Sequence, residues 1–222
     1  MTPRLAPGDA LTATGVVAIL RGADPAQTDR AVGVLDTLVA AGIRCVEIAM
    51  NAPGAADLLR TARDRLPADV ELGAGTVRTV ADASAAVDAG ATFLLAPDMS
   101  ADVAAWARDQ GVAYYPGALT PGEVARAWDL GATAVKVFPA GTFGAGYLRE
   151  LAEPLRDVPL LPTGGIRPGN AGEYIAAGGI AVGAGGGLIG DALDGGSLTA
   201  MAERAHRFLG AVRANRPRGA GR

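Results

Sequence analysis

Short apolar runs separated by longer amphipathic stretches make up most of the chain. The runs are rich in Val, Ile, Leu and Ala, and Gly, Pro, Asp or Asn flank many of them, a pattern typical of buried β-strands. Eight strands are predicted in this way, at about 16–20, 44–49, 70–74, 93–96, 113–115, 134–138, 160–161 and 180–183. The stretches between and after them predict eight helices, at about 26–41, 54–66, 80–89, 101–110, 121–130, 146–155, 169–177 and 198–214.

A recurring junction supports this alternation of helix and strand. Small residues lead into a glycine, and an apolar run follows at once, at Gly42, Gly90, Gly111, Gly131 and Gly178. Because a glycine in the left-handed conformation commonly closes a helix, these positions predict the points where a helix ends and a strand begins. Helix starts are marked by capping residues at Asp24-Pro25, at Ser100 and in the capping box Thr120-Pro121-Gly122-Glu123.

Eight strand–helix units with short loops predict an α/β fold of the closed (β/α)₈ TIM-barrel type in a single domain. The barrel is expected to span residues 15–214, between an N-terminal segment of residues 1–14 and a disordered tail of residues 215–222. A doubly wound open sheet is the alternative. The barrel is preferred because no Gly-x-Gly-x-x-Gly opens a helix after the first strand, and because polar residues follow many different strands.

Composition and charge narrow the range of functions. The net charge is −3 and the pI is about 5.2, so no basic excess is available for nucleic-acid phosphates, and no nucleic-acid partner is expected. No window approaches the ~18 uncharged apolar residues of a membrane span, and the first residues lack a signal-like apolar stretch. The single cysteine, Cys45, cannot form an internal disulfide. We therefore expect a cytoplasmic protein that does not bind membranes.

Lys136 is the most distinctive candidate for chemistry. It is the only lysine in the chain, because the other nineteen residues of the Lys and Arg set are all arginine. It also lies inside the apolar run Ala134-Val-Lys-Val-Phe138, which predicts a partly desolvated side chain. Desolvation lowers the pKa of an amine, which can then attack a carbonyl, whereas a guanidinium cannot. The alternative is an ordinary lysine at a sheet edge.

Glu47 is the matching acidic candidate. It lies between Val46 and Ile48, and if these two bulky residues face the helices, Glu47 faces the barrel interior. The same alternation turns Lys136 inward, so that an acid and an amine share one apolar space. A carboxylate there is costly unless it is paired or functional. The pair is therefore either a proton-transfer group beside a Schiff-base amine or a buried structural ion pair.

Other polar residues follow the predicted strands. Arg21, Asn51 and Thr76 come after strands one, two and three, and the guanidinium of Arg21 is suited to clamp a carboxylate. Two glycine-rich loops follow the last two strands, with Thr163, Gly164 and Gly165 in one and Gly185 and Gly186 in the other. Such loops either expose backbone amides to a phosphate or only close tight turns. One cysteine and one histidine form no metal-ligand cluster, so neither a metal nor a cofactor is expected.

With these residues in place, the chain resembles the 2-keto-3-deoxy-6-phosphogluconate and 4-hydroxy-2-oxoglutarate aldolase family, most of all its 2-dehydro-3-deoxy-6-phosphogalactonate branch. The resemblance runs from about residue 16 to residue 211. It is carried by the phrases Ala-Ile-Leu-Arg21-Gly, Val-Glu47-Ile-Ala-Met-Asn51-Ala-Pro, Gly-Ala-Gly-Thr76-Val, Tyr-Pro116-Gly117, Val-Lys136-Val-Phe-Pro139 with Phe143-Gly144, and Gly164-Gly165-Ile.

The resemblance implies a metal-free class I aldolase that works as a homotrimer on a small keto acid. It assigns the Schiff-base amine to Lys136, the general acid and base to Glu47, and contacts near the pyruvoyl carboxylate to Arg21 and Thr76. Gluconate-type relatives commonly carry an arginine at the place of Asn51, which leaves the carboxylate to Arg21. The family's phosphate loop usually offers a serine at the place of Gly186, so the resemblance leaves open whether the substrate is phosphorylated.

The predicted reaction is the reversible cleavage of a 2-keto-3-deoxy sugar acid, 6-phosphorylated or not, to pyruvate and a three-carbon aldehyde such as glyceraldehyde 3-phosphate. Two alternatives remain at this point. One is another phosphate-binding barrel enzyme, such as an epimerase or a thiamine-phosphate-type synthase. The other is a non-catalytic sugar-acid sensor, which would keep Arg21 and the glycine loops but would not need a unique buried lysine.

Overall fold

The computed structural model describes residues 4–21 and 28–216. The strands of this part are β1 (Val16–Leu20), β2 (Cys45–Ala49), β3 (Glu71–Gly75), β4 (Phe93–Leu95), β5 (Ala113–Tyr115), β6 (Gly117–Ala118), β7 (Val135–Val137), β8 (Leu160–Pro162) and β9 (Val182–Ala184). Its α-helices are α1 (Asp9–Thr14), α2 (Thr28–Ala40), α3 (Ala55–Arg65), α4 (Val80–Asp88), α5 (Ala101–Gln110), α6 (Pro121–Asp129), α7 (Gly144–Ala152), α8 (Ala171–Ala176), α9 (Gly186–Ile189) and α10 (Leu198–Asn215). Two short 3₁₀ turns lie at Ala140–Thr142 and Ala192–Asp194.

The strands pair in parallel. One sheet has the order β5-β4-β3-β2-β1-β9, so the last strand lies beside the first, and a second sheet has the order β6-β7-β8. Two isolated bridges, Leu160 with Gly179 and Thr163 with Gly183, run between β8 and the β9 segment. The chain is thus an α/β protein with a curled parallel sheet. The described strands form two sheets and not one closed ring, so the closed eight-stranded barrel expected from the sequence is not confirmed by the strand pairing.

The helix ends agree with the sequence pattern. The five junction glycines all have φ between 68° and 105°, in the left-handed region that glycine adopts without steric strain. Thr120 and Glu123 form both hydrogen bonds of the predicted capping box, and the Ser100 hydroxyl accepts from the amide of Val103. The Asp24-Pro25 cap lies outside the described residues.

Three short elements were not predicted. Helix α1 lies in the expected N-terminal segment, and the carboxylate of Glu71 accepts its Ala10 and Leu11 amides at 2.9 and 3.3 Å. Strand β6 is separated from β5 by Pro116, which has no N–H for a sheet ladder. Helix α9 begins in the glycine run after β9, where helix propensity is low.

The C-terminal boundary also differs from the prediction. Helix α10 continues to Asn215, one residue beyond its expected end, and the Arg216 guanidinium donates to the Ala13 carbonyl at 2.8 Å. Residues 217–222 of the expected disordered tail lie outside the described residues. The helical packing therefore extends to the first residues of the predicted tail.

Alternate strand residues face two different apolar cores. In β1, Val16, Ala18 and Leu20 pack outward against the helices, whereas Val17 and Ile19 face inward. The inner core collects side chains from both sheets and from α1, namely Leu11, Val17, Ile19, Cys45, Phe93, Leu95, Tyr115, Ala134, Leu161 and Ala181. This alternation fixes which polar residues of the strands point into the interior.

Within residues 4–21 and 28–216, no helix combines the length and the apolar character that a membrane span needs.

Candidate active site

Lys136 and Glu47 are both buried in the interior of the curled sheet. Lys136 is 3% exposed at the centre of β7, and its neighbours Val135 and Val137 pack in the outer core. Glu47 is 1% exposed at the centre of β2, where Val46 and Ile48 likewise face outward. The alternation of bulky and polar residues predicted that both side chains point inward, and the structure has this arrangement.

The surroundings of Lys136 favour a neutral amine. Burial is the main cause that lowers the pKa of Lys136, and the positive charge of Arg21 lowers it further. The negative charge of Glu47 acts in the opposite direction. The Nζ atom lies 5.4 Å from the centre of the Phe138 ring, on the same strand end. The amine is thus held in a mainly apolar site, with one acid and one guanidinium close enough to influence its charge.

The carboxylate of Glu47 is incompletely paired. Its Oε2 atom is buried and has no hydrogen-bond partner among the described residues. The ion pairs of that part of the chain do not include one between Glu47 and Lys136. A buried carboxylate oxygen without a partner costs about 1–3 kcal/mol or more. A buried polar atom that stays unpaired in a well-packed interior is typical of a functional group that contacts a bound substrate or ligand.

The other strand-end residues lie around this interior at different depths. Thr76 has φ of 59°, which is uncommon for a β-branched residue and stores backbone strain directly after β3. Arg21 and Asn51 are exposed at the ends of β1 and β2. Thr163 is fully buried after β8, its amide donates to the Val137 carbonyl at 2.9 Å, and its hydroxyl donates to the Leu161 carbonyl at 3.2 Å.

A cavity of about 350 Å³ brings the two glycine loops together. Its lining consists of Arg21, Gly164, Gly165, Ile166, Arg167, Gly183, Gly185, Gly186 and Gly187. Five predicted residues therefore share one cavity, whereas Lys136, Glu47, Asn51, Thr76 and Thr163 are not part of its lining. Arg167 was not among the predicted site residues, although its position three residues after Gly164 was a usable signal.

The loop after β8 is held by a short hydrogen-bond network. The side-chain oxygen of Asn170 accepts from the amide of Arg167 at 2.7 Å, and its amide group donates to the Gly165 carbonyl at 3.2 Å. Gly164 and Gly165 have φ of 90° and 75°, so other residues would be strained there. The loop is therefore shaped by its own residues before any ligand binds.

A larger cavity lies away from these residues. It measures about 770 Å³ and is lined by Arg4 and Leu5 and by the C-terminal ends of α5 and α6. It contains none of the predicted site residues, and it lies where the helices end and the strands begin. In parallel α/β folds the chemistry is found at the opposite, carboxyl ends of the strands, so size alone does not identify the active site here.

Comparisons with known proteins agree with the geometry. The sequence model of a family described as KDPG and KHG aldolase matches residues 9–201. The 2-dehydro-3-deoxy-phosphogluconate aldolase of Treponema pallidum (strain Nichols) is 38% identical over 151 residues, which cover 68% of this chain and 71% of that protein. The 2-dehydro-3-deoxy-6-phosphogalactonate aldolase of Escherichia coli (strain K12) is 31% identical over 199 residues, or 89% of this chain and 94% of that protein.

A solved structure described as native KDPGal has the same fold, with a TM-score of 0.81, 30% identity, and coverage of 90% of this chain and 95% of that one. The curled α/β sheet and these matches define an aldolase of class I, the class that works through a Schiff base. The chain belongs to the KDPG and KHG aldolase family. The resemblance seen in the sequence is confirmed, and the alternatives of an epimerase or a thiamine-phosphate-type synthase are not supported.

Proposed function

We propose that this chain cleaves a 2-keto-3-deoxy sugar acid, 6-phosphorylated in its preferred form, to pyruvate and a three-carbon aldehyde such as glyceraldehyde 3-phosphate. One observation carries the proposal. Lys136, the only lysine of the chain, is buried with a lowered pKa in the same interior as Glu47, whose carboxylate is incompletely paired. An amine that is neutral at lower pH than usual and a nearby proton acceptor are the two groups that Schiff-base cleavage needs.

The reaction follows from these two groups. The neutral amine of Lys136 adds to the C2 carbonyl of the keto acid, and loss of water from the carbinolamine leaves an iminium. Glu47 takes the proton of the C4 hydroxyl, the C3–C4 bond breaks, and its electron pair moves into the iminium to give an enamine. The aldehyde then leaves. Protonation of the enamine at C3, followed by hydrolysis, releases pyruvate and restores the amine.

Arg21 is proposed to bind the C1 carboxylate of the substrate, with Thr76 beside it. The carboxylate is bonded to C2, the atom that Lys136 attacks, so its partner must lie near the amine. The effect of Arg21 on the pKa of Lys136 supports this proximity. A guanidinium can hold a carboxylate through two hydrogen bonds, and it needs no metal to do so. Asn51 is proposed to contact the polyol end of the substrate.

The distal end of the substrate is proposed to lie in the 350 Å³ cavity. The phosphate is proposed to bind the backbone amides of Gly164 and Gly165 on one loop and of Gly185 and Gly186 on the other. Thr163 was also predicted to bind it, but its amide and hydroxyl already donate to the Val137 and Leu161 carbonyls, so it is not proposed as a donor. The guanidinium groups of Arg21 and Arg167 give the cavity lining a positive charge without an acidic residue. These features support a phosphate rather than a neutral hydroxymethyl group at this end.

The remaining proposals concern architecture and setting. We propose a single domain of residues 15–214 in which the sheet closes as a (β/α)₈ barrel. The pairing of β9 with β1, the continuous segment from β5 to β6 and the bridges between β8 and the β9 segment support closure. A homotrimer, proposed from the family resemblance, is expected to work in the cytoplasm, where the buried Cys45 thiol remains reduced.

Steady-state cleavage assays on 6-phosphorylated and unphosphorylated 2-keto-3-deoxy acids, each as the gluconate and the galactonate epimer, test this function. We expect pyruvate release from at least one epimer, with kcat/KM about tenfold higher for the phosphorylated form. The preference is expected to be modest because the loop lacks the serine that is usual in the family. One hydrogen bond to a charged group contributes about 1.5–3 kcal/mol to binding. Inorganic phosphate should compete with the phosphorylated substrate.

The Gly186→Ser variant tests whether a hydroxyl at position 186 strengthens phosphate binding. A Cβ atom at Gly186 meets no other atom within 4 Å, so a serine fits there, and its hydroxyl should raise the preference for the phosphorylated substrate about tenfold. Gly169→Ser is the matched control, because Gly169 is equally open but lies outside the cavity lining. Equal kcat/KM for both substrate forms, without competition by phosphate, would show that the loops are only tight turns.

A further inference from the structure

The inward-facing positions of β3 carry almost no side chains of their own. Glu71 faces inward at its beginning and contacts α1, and Gly73 and Gly75 follow at every second position. The parallel register places Gly73 opposite Glu47 and Gly75 opposite Ala49. Two consecutive glycines on the inner face of a strand weaken it and usually mark a place where another group comes close.

Two side chains from neighbouring strands occupy the space that these glycines leave. A Cβ atom at Gly73 would overlap the ring of Phe93, which belongs to the inner apolar core. A Cβ atom at Gly75 would overlap the carboxylate of Glu47 and would lie 2.7 Å from its Cγ atom. The glutamate therefore leans from β2 across β3, toward the carboxyl ends of the strands. Its place exists only because residue 75 has no side chain.

The backbone conformation at position 75 does not require a glycine. Its φ lies outside the left-handed region, and its carbonyl accepts an ordinary strand hydrogen bond from the Met50 amide at 2.8 Å. An alanine would fit this backbone without strain. The constraint at position 75 is thus the Glu47 carboxylate itself, a group that is 1% exposed and whose Oε2 atom has no hydrogen-bond partner among the described residues.

We infer that Gly75 is a positioning residue for the proton-transfer step, because it leaves open the space from which the Glu47 carboxylate reaches the substrate bound at Lys136. This inference rests on the proposed function. No hydrogen bond among the described residues holds the Oε2 atom of this carboxylate. Packing against the bare backbone of Gly75 fixes it instead. A methyl group at position 75 would turn the carboxylate away while leaving Lys136, on the separate strand β7, in place.

The test is Gly75→Ala, made in the parent protein and in a Glu47→Ala background. Borohydride trapping of pyruvate reports on iminium formation at Lys136, and deuterium exchange into the methyl group of pyruvate, followed by NMR, reports on proton transfer. In the parent, Gly75→Ala should lower kcat and deuterium exchange about 10- to 100-fold, the effect of an ångström-scale misplacement. Trapping should change less than about threefold. In the Glu47→Ala background the same substitution should change neither rate further, because no carboxylate remains to be displaced.

Two controls separate positioning from a general structural effect. Gly210→Ala lies on the exposed face of α10, where a Cβ meets nothing within 4 Å, and should leave all three readouts unchanged. Gly73→Ala lies on the same strand and face as Gly75→Ala, but its Cβ atom overlaps Phe93 instead of Glu47. It should therefore lower the melting temperature without changing the ratio of deuterium exchange to trapping. If Gly75→Ala is too unstable to assay, adding Glu47→Ala should restore its melting temperature.

Three outcomes would overturn the inference. They are unchanged kcat and exchange in folded Gly75→Ala, an equal loss in both backgrounds, and an instability that Glu47→Ala does not relieve. The proposed function fails separately. If the parent protein itself gives no pyruvate adduct with borohydride, then Lys136 is not the Schiff-base amine. If the parent is trapped normally and Gly75→Ala behaves like the parent, only the role of Gly75 is refuted.

Discussion

Replacing Lys136 with arginine should leave a folded protein whose kcat is lower by about 10⁴-fold or more. Loss of a nucleophile that forms a covalent intermediate has effects of this order or larger. Arginine keeps the positive charge but cannot lose its proton to attack the C2 carbonyl. No other lysine in the chain is available to replace it. Cleavage of the phosphorylated keto acid, measured by pyruvate release, gives the residual rate.

The buried site of Lys136 requires a second variant and a control. An arginine is larger than the lysine it replaces, so Lys136→Met, which is close in shape and uncharged, should show the same loss with less strain. Arg207→Lys on exposed α10 introduces a lysine far from the site and should keep full activity. Turnover within about tenfold of the parent in a folded Lys136→Arg or Lys136→Met protein would contradict a Schiff-base mechanism at this residue.

Glu47→Gln should lower kcat about 10²- to 10⁴-fold, the usual contribution of a positioned acid or base. The amide has nearly the same shape as the carboxylate but cannot accept the proton of the C4 hydroxyl. Trapping of pyruvate by borohydride should fall much less, because water can assist carbinolamine formation. Turnover of the keto acid and the rate of trapping, measured on the same preparation, give the two effects side by side.

Stability offers a second readout for Glu47. Its carboxylate is buried and incompletely paired, so removing the charge should keep or raise the melting temperature, as is common when a functional group is replaced by a neutral one. A structural partner of Lys136 would behave in the opposite way. A Glu47→Gln protein that unfolds more easily than the parent but turns over at a near-normal rate would show that Glu47 only stabilises the lysine.

Much of the fold was accessible from sequence, because its local signals agree with one another. Five glycines close helices in the left-handed region where the pattern placed them, and the Thr120 capping box begins α6. The inward direction of Glu47 and Lys136 also followed from their β-branched neighbours, since side chains of a strand alternate with a period of two. The eight predicted strands therefore agree with observed strands to within two residues at each end, whereas β6 was not predicted.

The parts that escaped prediction depend on contacts distant in sequence. Helix α1 is too short to be stable alone, and its first amides are satisfied by Glu71, about sixty residues later. Pro116 divides one apolar run into β5 and β6 because it cannot donate to a ladder. Helix α9 begins at Gly186 against helix propensity, so its tertiary setting decides its conformation.

The site was predictable in its chemistry but not in its shape. Residue types at strand ends identified the amine, the acid and the glycine loops. The sequence did not show that Arg21 shares a cavity with the loops after β8 and β9, or that Glu47 occupies the space beside Gly75. Both facts depend on side-chain directions across neighbouring strands. The positive φ of Thr76 likewise has no local signal, because threonine is rarely found in that conformation.

Borohydride reduction in the presence of pyruvate decides whether Lys136 is the amine that forms the Schiff base. The reduced adduct should appear in the intact mass as one pyruvate per chain, and peptide mapping should place it on Lys136. Because burial lowers the pKa of Lys136, trapping should become efficient at lower pH than for an exposed lysine. The Lys136→Arg protein should give no adduct. A parent protein without an adduct, or with one confined to the N-terminal amine, would contradict the mechanism.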